Sequence, residues 1–449
     1  MTPLPSSTLD FMPPVAQLLL RNLRPSTSFD DAHKQIRQLL PDLREQAYSS
    51  VAEVLNRGDE TDVAALDRPR VVGHGTFVIN LAGALDPFSD ADKCGAWRCR
   101  IRTAEQLGRL VALYADVAYV HDPFTMALAF EERWTRASTV KLMENLSLLT
   151  TLTPLLAAGV LKFTVPVVAV CTSCKSELLR RIGVAAGSVV RANAKEITYA
   201  AERNMLAVYT DRFDYTDVVY RSRITRQMKA QINNGTSVRT LGQRAYKAAI
   251  SRTAHEILLS MSAALPVGAT TLIGSRANLL TIRAMGKRPV YGTELASWEA
   301  SRATDIPWIK DLTVEQSLEL RSKAASALPR FRMRMATGLA DSAACAPGKV
   351  QNIVDELREE SVEVSAELRA LNFPRGERFR NVSGSLALTM FLYGFAADFV
   401  PAAAALGGLL SALALVHQDS RKAHQERDRL EARPGFVLLK AREIFEHAE

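Results

Sequence analysis

The sequence predicts an α/β N-terminal region, a small parallel or mixed sheet with covering helices, followed by a mainly α-helical C-terminal half. Two observations lead to this fold class. Between residues 61 and 212, short runs rich in Val, Ile and Phe alternate with helical patterns, as in parallel strands joined by helices. From about residue 215 onward, apolar residues recur almost wholly at helical spacing.

Three apolar runs in the N-terminal region are predicted to be strands, at 70–81, 117–120 and 163–170. A helical pattern separates each run from the next, and each run leads into a polar loop. The short run 270–273 is the main exception to the helical C-terminal half. The strand order and direction are not visible in the sequence, so a mixed sheet stays open.

The chain of 449 residues is long enough for several hydrophobic cores, since one domain usually takes about 100–200 residues. We expect a helical N-terminal segment at 1–60, an α/β domain at 61–212, a helical domain with a basic face at 213–345 and a helical C-terminal region at 346–449. The clearest amphipathic helix is predicted over 350–371, where acidic residues lie opposite the apolar stripe.

Residues 383–417 form a long apolar stretch. Asp398 is the single charged residue between Arg380 and Asp419, and Pro401 follows it closely. Each half of the stretch is shorter than the roughly 20 residues that a membrane-spanning helix needs. The pattern therefore predicts a hairpin of two helices buried in a folded core. There are two alternatives. The hairpin enters a membrane when a partner or ligand releases it, or the stretch forms an oligomer interface.

Composition favours a cytoplasmic protein. The five cysteines are few and odd in number, unlike a secreted disulfide framework. The first 20 residues contain Asp10 and several prolines instead of a basic segment followed by an apolar one, so we expect no signal peptide. The formal net charge is +8, a modest excess that matters only where it is concentrated.

The positive charge is concentrated between Asp217 and Glu256, where the chain has no acidic residue. Near-helical spacing of several cations predicts a basic face that binds nucleic acid or another polyanion through its phosphates. A solvated face, or one paired with the acidic helix at 350–371, is the alternative. The basic residues of this stretch are Arg221, Arg223, Arg226, Lys229, Arg239, Arg244, Lys247 and Arg252.

Asp86, His121 and Asp122 are the candidate catalytic residues. Asp86 and Asp122 each begin an Asp-Pro-Phe tripeptide that follows a predicted strand and precedes a Ser or Thr. Ligand sites in open parallel sheets lie at the carboxyl ends of the strands, so neighbouring strands would bring these side chains together. His121 would act as a base or ligand, and Asp122 would orient it or bind a metal ion. A simple turn is the alternative for both tripeptides.

Four cysteines are candidate zinc ligands. Cys94 and Cys99 form one pair, Cys171 and Cys174 a second, and together they have the donor set of a tetrahedral site. A redox pair or ordinary thiols are the alternatives.

Three functions follow from these features. The leading hypothesis is an intracellular binding protein that uses the basic face on a polyanion or a protein partner, with a homo-oligomer also expected. The second is a membrane-acting effector or toxin, in host defence, that works through the hairpin at 383–417. The third is a metal-dependent hydrolase that uses Asp86, His121 and Asp122. Phosphate-loop, serine-elbow and zinc-protease motifs are absent from the sequence.

Overall fold

The computed structural model describes residues 9–23, 28–57, 78–89, 97–167, 171–195, 197–202, 204–210, 218–264, 266–273, 276–286, 308–340, 347–372 and 424–447. The chain divides into two compact units, one comprising residues 1–295 and 313–318, the other residues 296–312 and 319–449. The predicted hairpin at 383–417, the cysteines Cys94 and Cys345, and the first part of the predicted strand at 70–81 lie outside the described residues.

Seven strands occur in the described residues, all of them in the first unit. They are β1 (Val78–Ala82), β2 (Val117–His121), β3 (Leu161–Thr164), β4 (Ile197–Glu202), β5 (Met205–Thr210), β6 (Val218–Arg223) and β7 (Thr270–Ile273).

The helices of the first unit are α1 (Pro14–Asn22), α2 (Phe29–Arg57), α3 (Trp97–Tyr114), α4 (Pro123–Phe130), α5 (Arg136–Thr151), α6 (Thr153–Ala157), α7 (Thr172–Ala192), α8 (Arg226–Asn233), α9 (Val238–Ala264) and α10 (Arg276–Ala284). Helix α11 (Val314–Lys323) follows, and then α12 (Leu328–Ala340), α13 (Pro347–Asn372), α14 (residues 424–431) and α15 (Gly435–Glu446).

The first sheet is parallel, with strand order β3-β2-β1-β7. This confirms the predicted small parallel sheet with covering helices, and the run 270–273 is its edge strand. The chain steps from β1 to β2 to β3 in one direction and then returns past β1 to form β7. Such a reversal opens a crevice at the carboxyl ends of the strands on either side of it, here β1 and β7.

Asn80, at the centre of β1, ties three elements together. Its buried side chain donates hydrogen bonds to the Ser260 hydroxyl of α9 at 2.9 Å and to the Thr271 hydroxyl of β7 at 3.1 Å. A buried amide without partners would cost about 1–3 kcal/mol, so this polar cluster fixes how α9 lies on the sheet. The compact unit therefore runs across the predicted boundary at residue 212, because α9 and β7 complete a sheet that begins at Val78.

A second, antiparallel sheet with strand order β4-β5-β6 was not among the predicted elements. Its strand β6 departs from the expected, almost wholly helical pattern after residue 215. Strands β4 and β5 form a hairpin at Asn204, which has a φ of 67°. The hairpin packs on α9, where Gly242 allows a close approach: a Cβ there would lie 2.2 Å from Cδ1 of Tyr199. Packing on α9 stabilises strands whose alanines and glutamate have low β-propensity.

One helix predicted from its amphipathic pattern is confirmed. Helix α13 contains the predicted helix at 350–371. Helix α11 begins with a capping box, in which Thr313 N donates to Oε1 of Gln316 at 2.7 Å and Gln316 N donates to Oγ1 of Thr313 at 3.2 Å. The strand bounds were less accurate, because β1 ends at Ala82 and β3 ends at Thr164.

The second unit is helical in its described part. Helices α13 and α15 pack against each other, and Gly435 N donates to Oε2 of Glu360 at 3.1 Å. Two carboxylates of the acidic α13 form ion pairs inside this unit, Glu356 with Arg334 at 2.8 Å and Glu367 with Arg433 at 3.2 Å. Across the described ranges, no helix combines the length and the apolar character needed to cross a membrane.

Candidate functional site

Asp86 and His121 meet at the carboxyl ends of β1 and β2. After β1, Gly83 adopts a φ of 60° beside Ile257 of α9 and begins a short 3-10 turn, which ends at Leu85. The next residue, Asp86, is 3% exposed. Its Oδ2 accepts the backbone N–H of His121 at 3.0 Å and also contacts Nδ1 of the same imidazole. The structure therefore brings together two of the three predicted catalytic residues in direct contact.

The His121 ring lies between buried groups and the surface. Phe88, from the loop that carries Asp86, packs edge-on against the imidazole with ring centroids 6.4 Å apart and planes at 90°. Phe88 also contacts Phe163 of β3, at a centroid distance of 5.6 Å. The His121 side chain is nevertheless 20% exposed. The imidazole is thus held on one side and accessible in part on the other.

The charge balance around His121 favours the imidazolium. Burial is the largest influence and by itself lowers the pKa of His121. The carboxylate of Asp86, through charge and hydrogen bonding, acts in the opposite direction, and the charges of Asp122 and Glu256 add to it. The net result is a pKa of His121 above its ordinary value of 6.5.

Asp122 has a different role from the predicted one. Its Oδ1 accepts the backbone N–H groups of Phe124 at 2.9 Å and Thr125 at 3.1 Å, so it is the N-cap of α4. Burial raises the pKa of Asp122, and these hydrogen bonds oppose the shift only in part. The residue that orients the imidazole is therefore Asp86. Asp122 caps the start of α4, and its charge acts on the His121 imidazole.

Sequence reasoning missed Glu256 and Asn80. Glu256 belongs to α9, far along the chain from His121, and its charge reaches the imidazole only because α9 lies across the sheet. Asn80 fixes that helix through Ser260. A polar residue inside an apolar strand run is the one sequence signal that points to Asn80, and no local pattern identifies Glu256.

The predicted zinc site is described only in part. Among the described residues, no group of three or more His, Cys, Asp or Glu side chains is placed to hold a metal ion. Cys99 is exposed on α3, while Cys171 and Cys174 are exposed at the start of α7. Cys94 lies outside the described residues, so the four-cysteine zinc site stays a prediction.

The basic stretch forms an exposed surface in the first unit. Seven of its eight cations have described side chains, and all seven are exposed: Arg223, Arg226, Lys229, Arg239, Arg244, Lys247 and Arg252. Within the described ranges, none of the seven has a carboxylate partner. The side chain of Arg221 is outside the description. We call these seven residues the basic face.

Helix α7 extends the basic face. Lys247 Nζ and Arg191 Nη1 lie 3.4 Å and 3.6 Å from the position that a Cβ would take at Gly187, so the two cations are close together. Arg239 reaches the same helix end, where its guanidinium donates to the carbonyl of Ala194 at 3.5 Å. Like charges at this spacing repel one another unless an anion lies between them.

Compared with known proteins, the chain matches no family model, no curated protein and no solved structure. Its function is therefore argued from its own residues.

Proposed function

We propose that the chain is an enzyme in which His121 acts as general base and general acid in a hydrolytic reaction. The observation that carries this proposal is the contact between the His121 imidazole and the buried carboxylate of Asp86 at the carboxyl ends of β1 and β2. An imidazole that donates its Nδ1 proton to Asp86 keeps a lone pair on Nε2. Nε2 has no hydrogen-bond partner among the described residues, which leaves it to a water molecule or a substrate hydroxyl.

The electrostatics support this role. A general base works best when its pKa lies near the working pH, and Asp86 moves the pKa of His121 upward from 6.5. Asp86 is a positioning residue, since it acts through the imidazole. The strand order reverses between β1 and β7, one strand away from His121, and open parallel sheets commonly bind ligands at such a reversal.

The first test is a screen against chromogenic esters, phosphodiesters and glycosides, each with divalent metal ions and with a chelator. We expect one bond class to be cleaved and His121→Gln to lower the rate by about 10²–10⁴-fold, the usual contribution of a general base. Asp86→Asn should lower the rate and move the pH–rate profile. The matched control is Asp122→Asn, next to His121 in the chain, which should keep most of the activity. Activity lost only with the chelator would identify the metal-dependent version of the reaction.

A second test does not need the substrate. Diethyl pyrocarbonate modifies neutral, accessible imidazoles, and peptide mass mapping measures how fast His121 reacts as a function of pH. The expected midpoint lies above 6.5, because Asp86 raises the pKa of His121. A His121 that does not react, together with a His121→Gln variant as active as the unaltered protein, would remove the proposal.

A second candidate function is the binding of nucleic acid or another polyanion by the basic face. The observation that favours it is the group of seven exposed cations without carboxylate partners in the described residues, extended by Arg191 beside Lys247. Each phosphate neutralised releases counterions, so binding of this kind weakens steeply as salt rises.

The test is a titration with single- and double-stranded nucleic acid at several salt concentrations. Replacement of Arg239, Arg244 and Lys247 by Glu should abolish binding. For the unaltered protein on duplex, the logarithm of the binding constant should fall with the logarithm of the salt concentration, with a slope of about −0.9 per phosphate contacted. The control reverses Lys34, Arg37 and Arg133, three exposed cations of the same unit away from the basic face. Equal loss in both triple variants would mean that net charge, and not this face, is responsible. Absence of binding at low salt would eliminate the candidate.

A further inference from the structure

Cys171 and Cys174 occupy the first turn of α7. Cys171 is the N-cap residue, and its Sγ accepts the backbone N–H of Cys174 at 3.3 Å. Both side chains are exposed, and both are free thiols. Neither takes part in the hydrolytic proposal above.

We propose that Cys171 and Cys174 form a redox-active dithiol that undergoes thiol–disulfide exchange with small-molecule or protein disulfides. The N-cap residue and the third residue of the helix lie one turn apart on the same side, and the Cys174 N–H donates to Sγ of Cys171 at 3.3 Å. A spacing of three residues at the start of a helix is short enough for a disulfide loop to close between the two sulfur atoms.

The helix start distinguishes the two sulfur atoms. The pKa of the Cys171 thiol is lowered, first by the backbone N–H of Cys174 and then by the Cys174 thiol. The pKa of Cys174 is raised, chiefly by its hydrogen bond to Cys171 and by the charge of that sulfur. No acidic residue lies in the first turn to oppose the partial positive charge of the helix end. Because Sγ of Cys171 is the N-cap acceptor of a backbone N–H at the start of α7, Cys171 is the attacking thiol, and Cys174 is the resolving thiol.

The exchange balances in two steps. The Cys171 thiolate attacks one sulfur of the incoming disulfide, which forms a mixed disulfide and expels the other half as a thiolate. The Cys174 thiol then loses its proton to solvent and attacks Sγ of Cys171, which forms the Cys171–Cys174 disulfide and expels the second half. One external disulfide is reduced to two thiols, and the dithiol of the protein is oxidised.

Cys171 follows β3 along the chain, and its helix α7 packs against α9. Burial lowers the pKa of His255 on α9, and the charge of Lys175, one residue past the pair, lowers it further. The neighbour of His255, Glu256, raises the pKa of His121. Both sites therefore lie near α9.

The experiment equilibrates the full chain in glutathione buffers of increasing oxidised fraction, quenches it with acid and maps free thiols by alkylation and peptide mass. We expect both alkylatable thiols of the Cys171–Cys174 peptide to be lost together, with an internal disulfide in their place. Cys174→Ser should accumulate one glutathionyl group on Cys171. Cys171→Ser keeps a good N-cap and should form neither product.

Cys99, an exposed cysteine on α3, is the matched control: Cys99→Ser should leave the oxidation of the pair unchanged. Retention of both thiols in fully oxidised glutathione would overturn the proposal, as would stable glutathionylation of Cys171 in the unaltered protein. Thiols that resist alkylation until a chelator is added would identify a metal site in place of the dithiol. The hydrolytic proposal stands or falls separately, because Cys171→Ser should leave the reaction of His121 with diethyl pyrocarbonate unchanged.

Discussion

The two Asp-Pro-Phe tripeptides have the same local structure and different tertiary roles. In each, the Asp Oδ1 accepts the backbone N–H of the Phe two residues later, at 2.9 Å in both cases. Each Phe is fully buried. Asp122 uses the turn to begin a helix, whereas Asp86 directs its second oxygen to the backbone and imidazole of His121. A turn motif thus acquires a chemical role only through its neighbour in the sheet.

The largest difference should appear in the free energy of unfolding of the alanine variants. Asp86→Ala leaves the backbone N–H and the half-buried imidazole of His121 without their partner, and we expect a loss of up to about 3–5 kcal/mol, the usual cost of removing one member of a buried charged pair. Asp122→Ala removes a helix N-cap, which usually costs about 1 kcal/mol. Urea unfolding of both variants measures the difference. Equal losses would mean that Asp86 is only a turn residue.

The next effect is on the pKa of His121, measured from the imidazole resonances in an NMR titration. Asp86→Asn removes the main group that raises this pKa, so burial should then dominate and bring the pKa below its ordinary value of 6.5. Asp122→Asn removes a weaker charge and should lower the pKa less. A larger shift in the Asp122 variant would contradict the assignment of Asp86 as the orienting residue.

The same shifts predict two separate pH windows of stability. Because the folded pKa of His121 is raised, its contribution is fully present below about pH 6.5 and is lost as pH rises through the folded pKa. The folded pKa of Asp122 is also raised, so its contribution is fully present below about pH 3.8 and is lost as pH rises through its own folded pKa. Unfolding measured from pH 3 to 9 should show both declines. Asp86→Asn should remove only the loss of stability that begins above about pH 6.5, and Asp122→Asn only the loss that begins above about pH 3.8.

The smallest effect concerns the two phenylalanines. Phe88→Leu and Phe124→Leu replace rings that are 1% and 0% exposed by a smaller side chain. Each should lower the free energy of unfolding by about 1–2 kcal/mol, because leucine fills only part of the space that the ring leaves. Only Phe88 contacts the imidazole, edge-on. We therefore expect Phe88→Leu alone to shift the His121 ring resonances, while denaturation gives similar losses for the two variants. Equal shifts in both would show that the ring does not position His121.

The helix at 350–371 and the alternation of strands with helices were predictable because they depend on short-range patterns. Short-range contacts also fix other helix starts, since Thr313 and Gln316 satisfy each other across one turn and Asp122 caps α4 within three residues. The alternation of apolar runs with helical patterns likewise predicts strand–helix–strand units. The β4–β5–β6 sheet was missed because its first strand ends in two alanines and a glutamate of low β-propensity, and the strand packs on α9.

The candidate site was predictable in part for the same reason. The sequence by itself determined the two turns, the N-cap at Asp122 and the exposed spacing of the basic face, since each depends on residues a few positions apart. Only the tertiary structure decided that β2 lies beside β1, and hence that Asp86 rather than Asp122 contacts the imidazole across 35 residues of chain. It also decided that Asn80 and Ser260, separated by 180 residues, hold α9 and its Glu256 near His121. Strand order is a property of the whole packed core, and no local pattern of side chains encodes it.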